Sequence, residues 1–271
     1  MSTIVCIGSG NMGFALMKGA FDRISGASMF FTDADAEKAQ TAAAAIGAKV
    51  LNSNTEAMEK GDFVFLAVKP QVLPRVLAEI APVARDRFHG SLPPVLVSMA
   101  AGWSVSRIQE AIGAKVPVVR IMPNTPALIG KGMIPLAPSP ETPAEKIIEL
   151  KNILGGAGIV DILEENLMDA ATGLSGSGPA FVYLFIEALA DGGVLAGLPR
   201  DKALRYAVQT VFGAAVMVQE TEKHPSELKD MVTSPGGTTI AGLTALENDA
   251  FRGTVINAVK AAWQRSTELG K

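Results

Sequence analysis

Short, almost wholly apolar runs alternate with helical stretches through the first 162 residues of this chain, and then stop. Ile4–Gly8, Ser28–Thr32, Phe63–Val68, Val95–Ser98 and Val116–Ile121 each read as a strand. Helical patterns lie between them at Asn11–Phe21, Asp35–Ile46, Pro74–Ile80 and Ser104–Ile112. Strands of this length separated by helices predict a parallel sheet with helices on both faces. Continuous apolarity is what strands covered on both faces require. After Pro143 come a helix, Ala144–Leu154, and a last strand within Gly155–Ile162. From Glu165 onward the pattern is helical only, near Pro179–Ala196, Asp201–Glu220, Thr239–Glu247 and Gly253–Leu269. Pro179 and Pro199 fall where helices start. The expected organisation is an α/β domain over residues 1–162 and an all-helical domain over residues 163–271.

The helical part is rich in small residues, among them Gly192, Gly193, Gly197, Gly213, Ala214 and Ala215. Hydrophobic residues make up 48% of the chain and mean hydropathy is +0.29. That surplus predicts apolar surface buried between subunits, with these helices forming a homodimer. No membrane partner is expected, because charge or glycine interrupts each run before the roughly 18–20 apolar residues of a span. A net charge of −3 and a pI near 5.5 speak against a nucleic-acid partner. The start, Met1-Ser2-Thr3-Ile4-Val5, enters a strand pattern with no basic and apolar leader. The single cysteine, Cys6, suits a reducing compartment and reads as a core thiol. With only His89 and His224 as histidines, no metal site is expected.

Gly8-Ser9-Gly10-Asn11-Met12-Gly13 is a G-x-G-x-x-G loop between the first strand and the first helix. That context makes it a dinucleotide loop: Gly8 for the turn, Gly10 for approach of the pyrophosphate, Gly13 for helix packing. Asp33, past the second strand, is the acid expected to take a ribose 2′-OH, which favours NAD; it also reads as a helix cap. Ala67-Val68-Lys69-Pro70 and Met122-Pro123-Asn124-Thr125-Pro126 follow strands, at the carboxyl edge where open parallel sheets bind ligands.

A second chemical segment runs from Lys229 to Thr239. Ser234-Pro235-Gly236-Gly237 predicts a tight turn, and Thr238 or Thr239 an N-cap of the helix that follows. Such a start binds carboxylates. Ser175-Gly176-Ser177-Gly178-Pro179 reads as another glycine-and-hydroxyl helix start. No Ser-His-Asp set and no His-Asp pair is evident. A reductase without a strong general acid needs a substrate that carries its own proton, as a protonated cyclic imine does.

Taken together these residues resemble pyrroline-5-carboxylate reductase over nearly the whole chain. The likeness rests on Gly8–Gly13, Ala67–Pro70, Arg120–Pro126, Ser175–Ala180, Glu187–Gly193 and above all Leu228–Asp230 with Ser234–Thr239. It implies reduction of 1-pyrroline-5-carboxylate to L-proline in the cytoplasm, with NADP(H) favoured and NAD(H) possible. It implies a Rossmann-like domain followed by a helical dimerisation domain, assembled as a homodimer and in some members a decamer. Asn54, Ala67, Val68, Lys69, Pro70, Met99, Ala100 and Ala101 would then contact the cofactor. Ser234, Gly237, Thr238, Thr239, Pro179 and Glu222 would line the substrate site, with Thr239 bonding the imine nitrogen. A hydroxyl residue is common in relatives where Asp33 stands here. Two rivals remain at this point. One is a non-catalytic dinucleotide sensor. The other is a hydroxy-acid dehydrogenase, which should carry a catalytic Lys in the helical domain; the helices after Gly173 contain Lys202 but no Lys-x-x-Asn signature.

Overall fold

The computed structural model describes residues 2–23, 28–88 and 93–270; His89 lies outside them. The chain forms two compact units. One comprises the residues up to Ser177 together with those from Ala262 onward, and the other Gly178–Ala261.

In the first unit the order is β1 (Thr3–Ile7), α1 (Asn11–Arg23), β2 (Ser28–Thr32), α2 (Ala36–Ile46), β3 (Lys49–Val50), α3 (Asn54–Lys60), β4 (Phe63–Leu66) and α4 (Leu73–Phe88). It continues as β5 (Val95–Ser98), α5 (Val105–Ile112), β6 (Val118–Ile121), β7 (Gly132–Pro138), α6 (Ala144–Leu154), β8 (Gly158–Ile162) and α7 (Met168–Ala171). One sheet holds all eight strands in the order β3-β2-β1-β4-β5-β6-β7-β8. The α/β class expected from the alternation holds, with the pairing parallel from β3 through β6. β7 then runs antiparallel to β6, and β8 is parallel to β7.

Alternate side chains of each strand serve opposite faces. Ile4, Cys6, Phe63, Phe65, Val95 and Val97 face α1, α2 and α6 with Leu16, Ala39 and Leu150. Val5, Ile7, Val64, Leu66 and Leu96 face α3, α4 and α5 with Met58, Leu77 and Ile108. The thiol of Cys6 is fully buried and donates to Gly8 O at 3.1 Å; burial, with the charge of Asp33 adding, pushes its pKa far up. It is a core group, as expected.

The helices stop where the sequence says they should. Asp35 caps α2 by accepting from the N–H groups of Glu37 and Lys38, and Gly47 ends it at φ 70°. Ser104 caps α5 and Gly113 ends it. Two segments that read as connections are elements. β7 contains Pro135 and Pro138, which weaken a strand signal. The sheet uses what a proline retains: Met122 N–H donates to Pro135 O at 3.1 Å. α3 carries a capping arrangement in which Ser53 Oγ accepts from Glu56 N–H and Glu56 accepts from Asn52 N–H.

The second unit holds α8 (Gly178–Leu195), α9 (Arg200–Thr221), α10 (Pro225–Met231), α11 (Thr238–Asn248) and most of α12 (Phe251–Leu269). Its buried apolar cluster is Ala190, Ala203 and Ala207. Gly193 brings α8 against Ala203 of α9, whereas Gly192, Gly197 and Gly213 have open space where a side chain would be. Large apolar residues face outward, including Leu184, Phe212 and Ile256.

Two expectations need refining here. Ser175–Pro179 does hold the start of α8, at Gly178, but the turns before it run into that start without a loop. A π turn over Thr172–Gly176 carries the chain through it, Ser177 N–H donating to Thr172 O at 2.9 Å. Ser175 Oγ is spent on Ala171 O. Glycine, serine and proline read as a boundary, but a widened turn needs small residues and Pro179 sits in the first turn of α8, where no N–H is required. The same continuity makes Glu165–Leu195 one 31-residue helical run, with a stretch of mean hydropathy 1.3. By length and composition it is long enough to cross a membrane, contrary to the reading from interrupted runs.

Candidate functional site

In the first unit the glycine loop joins β1 to α1 at the carboxyl edge of the sheet. Gly8 has φ +103°, and a Cβ there would lie 2.6 Å from Ala67 O. A Cβ on Gly13 would lie 2.5 Å from Gly8 O and 3.0 Å from Cys6 Sγ. These two glycines let α1 press onto β1 and β4. Gly10 differs, since a Cβ there would meet nothing within 4 Å. Gly10 and Asn11 are exposed and Met12 half-buried at the start of α1. Open space over a helix N-terminus is the cradle a pyrophosphate needs.

Asp33 is tied to this loop. Ser9 N–H and Ser9 Oγ donate to its Oδ2 at 2.7 and 2.9 Å, and Asp35 N–H donates to its Oδ1 at 3.0 Å. Partial burial acts to raise its pKa; the bonds from Asp35 and Ser9 and the charge of Lys38 outweigh it and hold the carboxyl below its ordinary value. Asp33 therefore does not cap α2, which Asp35 does.

The loops after β4, β5 and β6 meet the same edge. Ala67 N–H donates to Ile7 O, and Lys69 O receives the N–H groups of Val72 and of Leu73, the first residue of α4. Val68 and Pro70 are half-buried there and Lys69 is exposed. Met99 and Ala101 are half-buried and Ala100 buried, with Trp103 N–H donating to Ala100 O. Met122 is buried against Met168 and Ala137, with Pro123 buried beside it. Asn124 spends both ends of its amide, donating to Ser175 O and accepting from Met133 N–H, each at 2.9 Å. Asn54 begins α3, where its amide donates to Glu79 at 2.6 Å.

Sequence reasoning missed an ionic cluster around the buried Arg120. Arg120, on β6, reaches Asp169 at 3.3 Å and Glu165 at 3.7 Å. Glu165 also accepts from Val105 N–H, and Asp169 from Ser266 Oγ. A charged residue in the otherwise apolar run Val118–Ile121 was the available signal, since a buried charge requires partners.

In the second unit Ser234-Pro235-Gly236-Gly237 forms a turn, Gly237 N–H donating to Ser234 O at 3.1 Å. Proline second and φ +68° at Gly236 mark a type II turn. A Cβ on Gly237 would collide with Ser234 Oγ. The N-cap of α11 is Gly237, and no side chain caps it. This corrects the expectation of a threonine cap. Gly237 is extended, at φ −81° and ψ 177°, and its carbonyl already receives Ala241 N–H. Thr238 and Thr239 stand one and two residues inside the helix.

Among the described residues the hydroxyls of Ser234, Thr238 and Thr239 make no hydrogen bond within the chain, unlike Thr244 Oγ, which donates to Ile240 O at 2.9 Å. Glu222 ends α9 at φ +53°, a backbone setting rare for a residue with a side chain. Pro179 lies in the first turn of α8. His224 is a cap, its Nδ1 accepting from Ser226 N–H.

Comparison with known proteins bears on both units. A family model described as pyrroline-5-carboxylate reductase dimerisation matches residues 165–269. One described as NADP oxidoreductase, coenzyme F420-dependent, matches residues 3–102. The chain is 50% identical to a pyrroline-5-carboxylate reductase of Synechocystis over 82% of this chain and 80% of that one. It is 40% identical to the enzyme of that name from Corynebacterium melassecola over 100% of both. Among solved structures, the Plasmodium falciparum pyrroline carboxylate reductase with NADP bound aligns with a TM-score of 0.86 at 32% identity, covering 100% of this chain and 98% of that one.

Proposed function

Because this chain belongs to the pyrroline-5-carboxylate reductase family, we propose that it reduces 1-pyrroline-5-carboxylate to L-proline at the expense of a nicotinamide dinucleotide. The observation that carries the reading is the start of α11, which no side chain caps and at which the hydroxyls of Ser234, Thr238 and Thr239 make no hydrogen bond among the described residues. The backbone N–H groups of that start and Ser234 Oγ hold the ring carboxylate. Thr239 Oγ bonds the ring nitrogen and fixes the imine carbon for attack, while Pro179 and Glu222 line the pocket. The dinucleotide, when bound, supplies the hydride. Gly8, Ser9, Gly10, Asn11, Met12 and Gly13 hold its pyrophosphate, with Asp33, Asn54, Ala67–Pro70, Met99–Ala101 and Met122–Asn124 around the rest. Positioning is the main contribution, because a protonated imine needs no strong general acid.

The same reading makes the protein a cytoplasmic homodimer, assembled through the helices of residues 163–271. The outward apolar side chains there suit a protein partner, and the match to a dimerisation model over residues 165–269 supports that over a lipid contact. Decamers are the larger assembly to expect.

Purified protein should oxidise NADPH or NADH in the presence of pyrroline-5-carboxylate and yield proline. Folded protein that binds a dinucleotide yet turns over with neither would sink the proposal and favour a sensor.

A further inference from the structure

The dinucleotide family to which this chain is tuned is written at the end of β2. Register places Thr32 beside Ile7, and Gly8 N–H donates to Thr32 O at 2.8 Å. Asp33 therefore stands directly beside the glycine loop. Three donors, Ser9 N–H, Ser9 Oγ and Asp35 N–H, lock its carboxylate in one orientation. A carboxylate has about four acceptor sites, so about one is left unused among the described residues.

The surrounding charge is one-sided. Between Asp33 and Lys38 there are three carboxylates, Asp33, Asp35 and Glu37, and one ammonium. That ammonium is already engaged, Lys38 Nζ lying 3.2 Å from Asp35. A 2′-phosphate would bring about two negative charges to this place with no free cation in the segment to receive them. A 2′-hydroxyl would instead donate to the unused site on Asp33.

We infer that Asp33, held by Ser9 and Asp35, makes this enzyme select the dinucleotide bearing a free ribose 2′-hydroxyl and reject the 2′-phosphorylated one. The expectation from family resemblance, NADP(H), is thereby reversed for this chain. The inference rests on the dinucleotide reading of the glycine loop and is independent of which imine is reduced.

The test is binding of NADH and NADPH to the full chain by calorimetry, together with the fragments 5′-AMP and 2′,5′-ADP, for the natural protein and for Asp33→Asn and Asp33→Ser. The natural protein should bind NADH at least about tenfold more tightly than NADPH, the scale of one close like-charge contact near a protein surface. Removing the charge should strengthen NADPH about tenfold and weaken NADH severalfold, so that the two affinities cross over. The AMP fragments should follow the same order. Tighter binding of NADPH by the natural protein overturns the inference. So does a loss of both dinucleotides together in the variants, which would mean that Asp33 only braces the loop. An enzyme that prefers NADH but reduces no pyrroline carboxylate would leave this inference standing and remove the proposed reaction.

Discussion

Thr239→Ala is expected to lower kcat/KM for pyrroline-5-carboxylate by about 10- to 1000-fold, the scale of losing one or a few polar contacts in the transition state. The fold gives no reason for a stability loss of similar weight. Thr239 is not the cap of α11 and its hydroxyl makes no hydrogen bond among the described residues; alanine is also the better helix former. Activity should therefore fall while the thermal transition stays within a few degrees. Thr239→Ser keeps the hydroxyl and should recover most of the rate. A folded Thr239→Ala enzyme with unchanged kcat/KM would remove this residue from the chemistry.

The second large effect belongs to the glycine loop, and it separates two kinds of glycine. Gly8→Ala must adopt φ +103° and push its Cβ against Ala67 O, a backbone atom of the neighbouring strand loop. Strain and collision together should cost about 3 kcal/mol or more. In a unit of this size that is a drop in Tm of roughly 6–12 °C, with loss of dinucleotide binding. Gly10→Ala meets no such obstacle, since no atom lies within 4 Å of the added Cβ. It should keep its Tm and lose affinity for the dinucleotide about tenfold or more, because the methyl group occupies the approach of the pyrophosphate. Calorimetric melting and dinucleotide titration of the two variants decide the matter. Equal melting losses would mean that Gly10 is also structural.

Most of the architecture was legible because burial on both faces leaves a strong mark. Val95–Ser98 and Ser28–Thr32 carry apolar centres between hydroxyl-bearing ends, and their bounds are those of β5 and β2. What escaped did so for local reasons. β3 is two residues long and carries no period. β7 hides behind prolines, of which Pro135 still accepts a hydrogen bond through its carbonyl. The π turn at Thr172–Gly176 uses the same small residues that elsewhere end helices, so composition could not tell a passage from a boundary. The same limit applied to the turn Ser234–Gly237. Its hydroxyls were visible in sequence, but whether they cap the helix or stay free depends on the backbone angles of Gly237. The bonds from Ser9 to Asp33 join residues whose proximity only strand order creates.

The sparse interior of Gly178–Ala261 has a consequence for handling this enzyme. Ala190, Ala203 and Ala207 form its buried apolar cluster, while Leu195 is 91% and Ile256 65% exposed in the single chain. A second copy must supply the missing core, so folding of these helices and association become one equilibrium governed by protein concentration. Each tenfold dilution of such a dimer removes about 1.4 kcal/mol of apparent stability. Specific activity and melting temperature should both decline as stocks are diluted from micromolar toward nanomolar, and return on concentrating. Rates measured at one enzyme concentration then describe that concentration only.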